Sequence, residues 1–379
     1  MTTPANPSPA AKGLEGIVAA NTRLSDVKGD VGELIYVGYN INELAGKVTF
    51  EEVIYLLHQQ HLPNRRELEE LKGLLASKRD LPQGVIDIIK SCPKDTPPMN
   101  VIRTAVSALG CFDTESEDPS MDANRAKALR LIARVPIITA YFHRARQGKE
   151  LLPPDPTLGE AANFLYLIDG EKPSAEKVRT MDMCYVLHAD HGMNASTFSA
   201  RVTIATLSDM YSAITSAIGT LKGPLHGGAN EGVIKMLQEI GSLDRVDGYI
   251  ADCLAQKKKI MGIGHRVYKT LDPRAPHLKR MAQELSAKLG EPKWIQMSER
   301  IAEIMLTQKH LHANVDFYSA TVYYSLGIPI DLFTPVFAIS RTAGWTAHVL
   351  EQLADNRLIR PQSVYIGPVG LKVTPLDQR

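Results

Sequence analysis

SDMYSAITSAIGTLKGPLHGGANEGVIKMLQEIG, residues 208–241, decides how the chain is read. Ser208 or Asp209 can cap a helix whose apolar face carries Tyr211, Ile214, Ile218 and Leu221, spaced by three and four. Its other face is small: Ser212, Ala213, Ser216, Ala217 and Thr220. Small side chains let backbones approach closely, so this helix is expected to be buried, within a domain or across a subunit contact. Gly223 and Pro224 end it, and ANEGVIKMLQEIG begins another. Between the two helices a single histidine, His226, sits among glycines just before a helix N-terminus. Unpaired N–H groups and the positive end of the helix dipole disfavour imidazolium there. A neutral imidazole so placed can donate a hydrogen bond to a carbonyl as negative charge develops. The plainer reading is an interhelical turn with a histidine on it.

The same helical period recurs in both directions. In EEVIYLLHQQHLP, Val53, Ile54, Leu56 and Leu57 make a face and Pro63 lies beyond the end. Ser174 can cap the helix carrying Val178, Met181, Tyr185 and Val186. Helices are expected over 244–257, 272–289, 295–308 and 316–326, and a long one over 332–353. Strand signals are confined to RLSDVKGDVGELIYVGYNI near the start, a small hairpin, and SVYIGP near the end, a short strand or extended tail. No glycine-rich dinucleotide loop, phosphate loop or internal repeat is present. The expected class is all-α.

At 379 residues the chain is long enough for about two domains at ~100–200 residues each. Its 43 basic and 42 acidic residues nearly cancel, so no global field favours nucleic acid or an anionic membrane, and an anionic ligand must be met by local charge. Cys92, Cys111, Cys184 and Cys253 are far apart, which argues against a disulfide framework and fits a reducing compartment. The first thirteen residues, MTTPANPSPAAKG, read as a disordered tail rather than a targeting peptide. With no apolar run near ~20 residues, the expectation is a cytoplasmic protein with no membrane span.

Four further stretches carry groups suited to chemistry. In KKKIMGIGHRVYKTLDPRAP, His265 follows Gly262 and Gly264, and Asp272 with Pro273 forms an N-cap and first-turn pair that puts Arg274 in the first turn of a helix. An arginine beside unpaired helix N–H groups is a carboxylate or phosphate site. Lys257, Lys258, Lys259, Arg266 and Lys269 add local positive charge; a solvated basic loop is the alternative. HADHGMNAS offers His188, Asp190 and His191, which invites a metal, although no further ligand follows at helical spacing. In HANVDFYSATVYYSLG, Asp316 stands among apolar residues that raise carboxylate basicity, next to a helix start that lowers it; a plain helix cap at Asn314 or Asp316 remains open. In FAISRTAGWTAHVLEQL, Phe337, Arg341, Trp345 and His348 share a stripe, and a charge on an apolar face needs a partner.

Taken in order, GPLHGGAN, GIGHRVYKTLDPR, NVDFYS, SRTAGW and the RP of NRLIRP resemble the citrate synthase family, in its short bacterial and archaeal form. GELIYVGYNINELAG and FEEVIYLL resemble the family's opening, so the likeness spans nearly the whole chain. The resemblance implies an all-α homodimer with a large domain over 1–221 and 327–379, a small mobile domain over 222–326, and the active site in the cleft between them. It implies condensation of acetyl-CoA with oxaloacetate and hydrolysis to citrate and CoA, with no metal or cofactor beyond the acetyl-CoA substrate. On that basis Asp316 removes a methyl proton, His226 steadies the enol and His265 polarises the oxaloacetate carbonyl. His191, Arg274 and Arg341 hold oxaloacetate, Arg360 reaches in from the other subunit, and Lys257, Gly262 and Lys269 lie toward CoA.

The chain departs from the family pattern at Val37, Asn40 and Gly192, where arginine, aspartate and glutamate are common. Two other enzymatic readings stand beside the main one: 2-methylcitrate synthase, which prefers propionyl-CoA, and a metal-dependent hydrolase built on His188, Asp190 and His191. A catalytically silent scaffold would have no need of His226, His265 and Asp316 together.

Overall fold

A computed structural model describes residues 11–379. The described chain is helical almost throughout, with sixteen α-helices and one small sheet. Of the expected N-terminal tail, residues 1–10 lie outside the described residues, and Lys12–Leu14 form a single exposed 3₁₀ turn. The sheet is the expected hairpin with one strand more: β1 (Ser25–Lys28), β2 (Glu33–Tyr36) and β3 (Tyr39–Asn40) run antiparallel in that order. Ser25 faces Tyr36 and Lys28 faces Glu33 across the first pair. Alternation turns Leu34 and Tyr36 inward, both fully buried.

Local signals start several of the helices where the sequence places them. Thr49 and Glu52 form a reciprocal capping box ahead of Phe50–Gln59, and Ser174 caps Ala175–His188. Asp209, not Ser208, caps Met210–Leu221 through Ser212 N–H at 2.9 Å. That helix packs tightly on Ala195–Ile204, and Ser199 and Ser216 share a hydrogen bond between the two. The small-residue face is therefore used within the chain.

Phe333–Ala354 is the axis of the fold. It is buried on nearly every side, against Met121–Arg146, Ala195–Ile204, Met210–Leu221 and Ala175–His188. Three donors on one of its faces hold the chain leaving Ala175–His188. Ser340 Oγ donates to Tyr185 O at 2.5 Å, Arg341 Nε to His188 O at 2.7 Å, and Gly344 N to Ala189 O at 3.1 Å. The loop that begins at His188 is thereby fixed to the core.

Ala229–Ile240, Val246–Ala255, Ala275–Leu289, Lys293–Lys309 and Val315–Ser325 pack mainly on one another. The helix expected to begin at Asp272 begins instead at Ala275, with Arg274 at the cap position. Asp272 Oδ1 accepts from Arg274 N–H at 3.1 Å and also binds its side chain, so this tight turn holds Arg274 outside the first turn. After Ala354 the chain is extended and mostly exposed; SVYIGP forms no strand, and the only regular piece is a 3₁₀ turn at Leu376–Gln378.

Candidate active site

His226 is in the turn between Met210–Leu221 and Ala229–Ile240, whose cap is Gly228. The glycines have a steric reason: a Cβ at Gly227 would lie 2.3 Å from Leu221 O. Ser196 N–H points at His226 Nε2 at 3.3 Å, and Ser196 Oγ lies 2.8 Å from the same atom. Nε2 therefore accepts, and the proton of a neutral ring sits on Nδ1. Burial, followed by the charge of Arg341, lowers the pKa to about 4. The expected neutrality is present, with burial as its first cause.

His265 shows the opposite tautomer. Its Nδ1 accepts from Val267 N–H at 3.0 Å and Tyr268 N–H at 3.1 Å, so Nε2 carries the proton. Burial and then Arg274 lower its pKa to about 4. The His191 ring lies 5.4 Å from the His265 ring, and its Nε2 is 3.2 Å from the Tyr268 hydroxyl. Burial, Arg274, His265, Arg341 and His226 together push its pKa well down. Three neutral histidines from three separated segments thus meet in one place.

Asp316 is in the first turn of Val315–Ser325, capped by Asn314, whose Oδ1 accepts from Asp316 N–H at 3.0 Å. Of the two candidates, Asn314 is the cap, which frees the Asp316 carboxylate. The residue is half-buried. Desolvation raises its pKa to about 6 against the pull of Arg274 and Arg341, while Asp272 adds to the rise. A carboxylate so poised is ionised at neutral pH and more basic than an ordinary one.

Two buried arginines complete the group. Arg274 is paired with Asp272 through Nε at 2.9 Å and a terminal nitrogen at 2.8 Å. Asp272 also accepts from Val315 N–H at 3.1 Å, which links the arginine turn to the start of the Asp316 helix. Arg341 uses only Nε on His188 O and lies over the Phe337 ring at 4.6 Å. Its two terminal nitrogens have no hydrogen-bond partner among the described residues. Burial lowers its pKa to about 10, which leaves it charged at neutral pH. An unpaired guanidinium fork near a paired one offers donors that a small dicarboxylate can accept from.

The remaining expected residues are placed differently. Arg360 is exposed in the C-terminal segment and has no ion pair or hydrogen bond among the described residues. Lys257 and Lys269 are exposed on segments flanking His265. Gly262 has φ +73°, and a Cβ there would lie 2.9 Å from Phe317 Cβ, so packing alone requires glycine. The HADH stretch does not converge on a metal. His188 Nδ1 donates to Cys184 O at 2.7 Å, Asp190 accepts from Ser25 Oγ and Gly192 N–H, and His191 turns to Tyr268. No set of three metal-ligating side chains forms among the described residues.

Ser196 and Tyr268 stand in no side-chain pattern that marks them in the sequence, and Asp272 reads there only as a cap. Nothing in the sequence signals Ser196, thirty residues from the ring it holds. Asp272 had a signal, an acid two residues before an arginine. A cavity of about 560 Å³ lined by Glu51, Arg79, Glu160 and Asp182 lies elsewhere, and its arginine is already bound to Glu160 at 2.8 Å.

Residues 13–362 match the family model described as citrate synthase, C-terminal domain. The chain belongs to the citrate synthase family. Citrate synthase 2 of Bacillus subtilis is 53% identical over 98% of this chain and 99% of its own. The crystal structure of the Pyrobaculum aerophilum citrate synthase superposes with a TM-score of 0.93 at 38% identity, over 100% of this chain and 97% of that one. A ternary complex of carboxymethyl coenzyme A and oxaloacetate with the Thermoplasma acidophilum citrate synthase also superposes with a TM-score of 0.93, at 35% identity over 98% of this chain and 100% of that one. Two proteins named 2-methylcitrate synthase, both of Corynebacterium glutamicum, are 41% and 40% identical to this chain.

Proposed function

We propose that this chain condenses acetyl-CoA with oxaloacetate and hydrolyses the resulting citryl-CoA to citrate and CoA, the entry step of the tricarboxylic acid cycle. The observation that carries the reading is the meeting of two oppositely oriented neutral histidines with a desolvated carboxylate and an unpaired guanidinium.

Asp316 takes a methyl proton from acetyl-CoA. A thioester α-proton is too weakly acidic for a carboxylate alone, so the enol oxygen needs a preorganised donor, typically worth ~3–4 kcal/mol. Nδ1–H of His226 is that donor, held in direction by Ser196. The enol carbon then attacks the oxaloacetate carbonyl, and Nε2–H of His265 meets the oxygen that becomes negative. Because both rings are neutral, each donates without being a strong acid that would quench the enol. Arg341, Arg274 and His191 hold the oxaloacetate carboxylates. Water then cleaves the thioester, giving the citrate carboxylate and CoA thiol.

The helices of 222–326 act in this reading as a small domain that closes over oxaloacetate and keeps water out until the carbon–carbon bond has formed. Lys257, Gly262 and Lys269 lie toward CoA, and the two lysines meet its phosphates. The protein works as a cytoplasmic homodimer. The C-terminal segment, with Tyr365, Ile366, Val369 and Leu371 at least two-thirds exposed, packs on a second copy and delivers Arg360 to the partner's site. No metal or further cofactor enters the scheme.

CoA release with oxaloacetate, comparing acetyl-CoA with propionyl-CoA and including Asp316→Ala, tests the proposal. Preference for acetyl-CoA, lost in the variant, is expected. Preference for propionyl-CoA would move the assignment to 2-methylcitrate synthase, and no release from either by folded protein would overturn it.

A further inference from the structure

Tyr268 lies three residues beyond His265 and is 3% exposed. Its ring is 4.7 Å from the His265 ring and 5.5 Å from the His191 ring. Its hydroxyl has one hydrogen-bond partner among the described residues, His191 Nε2 at 3.2 Å. The next residue is anchored as well: Lys269 N–H donates to Gly29 O at 3.0 Å, in the turn between β1 and β2. A ring serving only as packing would be better as phenylalanine, since a buried hydroxyl costs free energy unless it is used.

We propose that Tyr268 is a positioning residue whose hydroxyl fixes the tautomer and orientation of His191, so that His191 Nδ1–H faces oxaloacetate. This rests on the functional reading above. His191 is buried beside Arg274, Arg341, His226 and His265, all of which disfavour a second proton on the ring. The ring is therefore neutral, with one nitrogen accepting. An imidazole nitrogen is a better acceptor than a phenol oxygen, so Tyr268 O–H donates to Nε2 and the ring proton sits on Nδ1. That nitrogen has no partner among the described residues. The reverse tautomer would aim a lone pair at the substrate's oxygens and repel them. Tyr268 thus gives His191 the same Nδ1–H form that Ser196 gives His226.

The test uses the full-length enzyme. Nitrogen-15 spectra of labelled histidines in the wild type, with His191 assigned through His191→Gln, should show His191 as the Nδ1–H tautomer. Tyr268→Phe should turn that signature into a mixture. The same variant should raise both the calorimetric Kd and the KM for oxaloacetate by roughly three- to tenfold, the usual effect of one hydrogen bond. Its kcat at saturation and its KM for acetyl-CoA should stay within about twofold. An Nε2–H signature in the wild type would overturn the proposal with no variant needed. So would unchanged oxaloacetate binding in folded Tyr268→Phe. Wild type that binds no oxaloacetate would strike the functional reading itself, while the tautomer spectrum would still decide this one.

Discussion

Asp316→Asn should give a protein that is inactive yet more stable than the parent at pH 8. The carboxyl has an ordinary pKa of 3.8 in the unfolded chain and about 6 in the folded one, because burial outweighs its two arginine neighbours. The folded state therefore holds this proton more tightly than the unfolded state does. Stability from the group is full below pH ~4 and is lost as pH rises through about 6. A rise of about two units at ~1.4 kcal/mol each gives about 3 kcal/mol at most of strain in the ionised form at pH 8. Asparagine fills nearly the same volume and carries no charge, so it removes that cost. The gain should appear as a midpoint increase of a few degrees in thermal unfolding at pH 8. At pH 4 the parent carboxyl is itself protonated, and the two proteins should unfold together. A variant no more stable than the parent at pH 8, or more stable by the same margin at both pH values, would refute the reasoning.

Three further outcomes follow from the geometry. The acid limb of kcat/KM for acetyl-CoA should have a midpoint near 6, set by Asp316, because His226 and His265 titrate near 4 and stay neutral throughout; a limb near 4 in the initial-rate profile would remove Asp316 as the base. Ser196→Ala deletes the hydroxyl that lies 2.8 Å from both His226 Nε2 and Asn194 Oδ1 and leaves the buried Trp345 Nε1–H without its 3.0 Å acceptor, while the Ser196 N–H to His226 Nε2 stays. Steady-state kinetics should show kcat down roughly tenfold with the oxaloacetate KM unchanged, in line with one lost positioning bond. Asp272→Ala strips the buried Arg274 of its carboxylate and Val315 N–H of its acceptor, and urea unfolding should read a loss of about 3–5 kcal/mol.

The helices were legible because each carries its own signal. The apolar spacing of Tyr211, Ile214, Ile218 and Leu221 and the Asp209 cap are local facts, and the helix forms between the limits they set. The boundary at Asp272 was misread because the sequence offers an N-cap and a proline, while the three-dimensional competitor is the side chain of Arg274 itself. SVYIGP has strand-forming residues and no neighbouring strand among the described residues, so its propensity finds no ladder. His188, Asp190 and His191 looked like one cluster because they are adjacent in sequence, yet their side chains leave the loop toward Cys184, Ser25 and Tyr268.

The sequence by itself determined an all-α protein, the motifs that carry the family likeness, and the identity of the histidines, aspartate and arginines that the fold later brings together. Only the tertiary structure decided their chemical state. Whether His226 presents Nδ1–H and His265 presents Nε2–H depends on donors contributed by Ser196 and by the backbone of Val267 and Tyr268. Whether Asp316 is a stronger base than a surface aspartate depends on how burial balances against Arg274 and Arg341. Residue type fixes which protons a side chain can hold. Where they reside, and at what pH they leave, is set by desolvation and by neighbours that are distant along the chain.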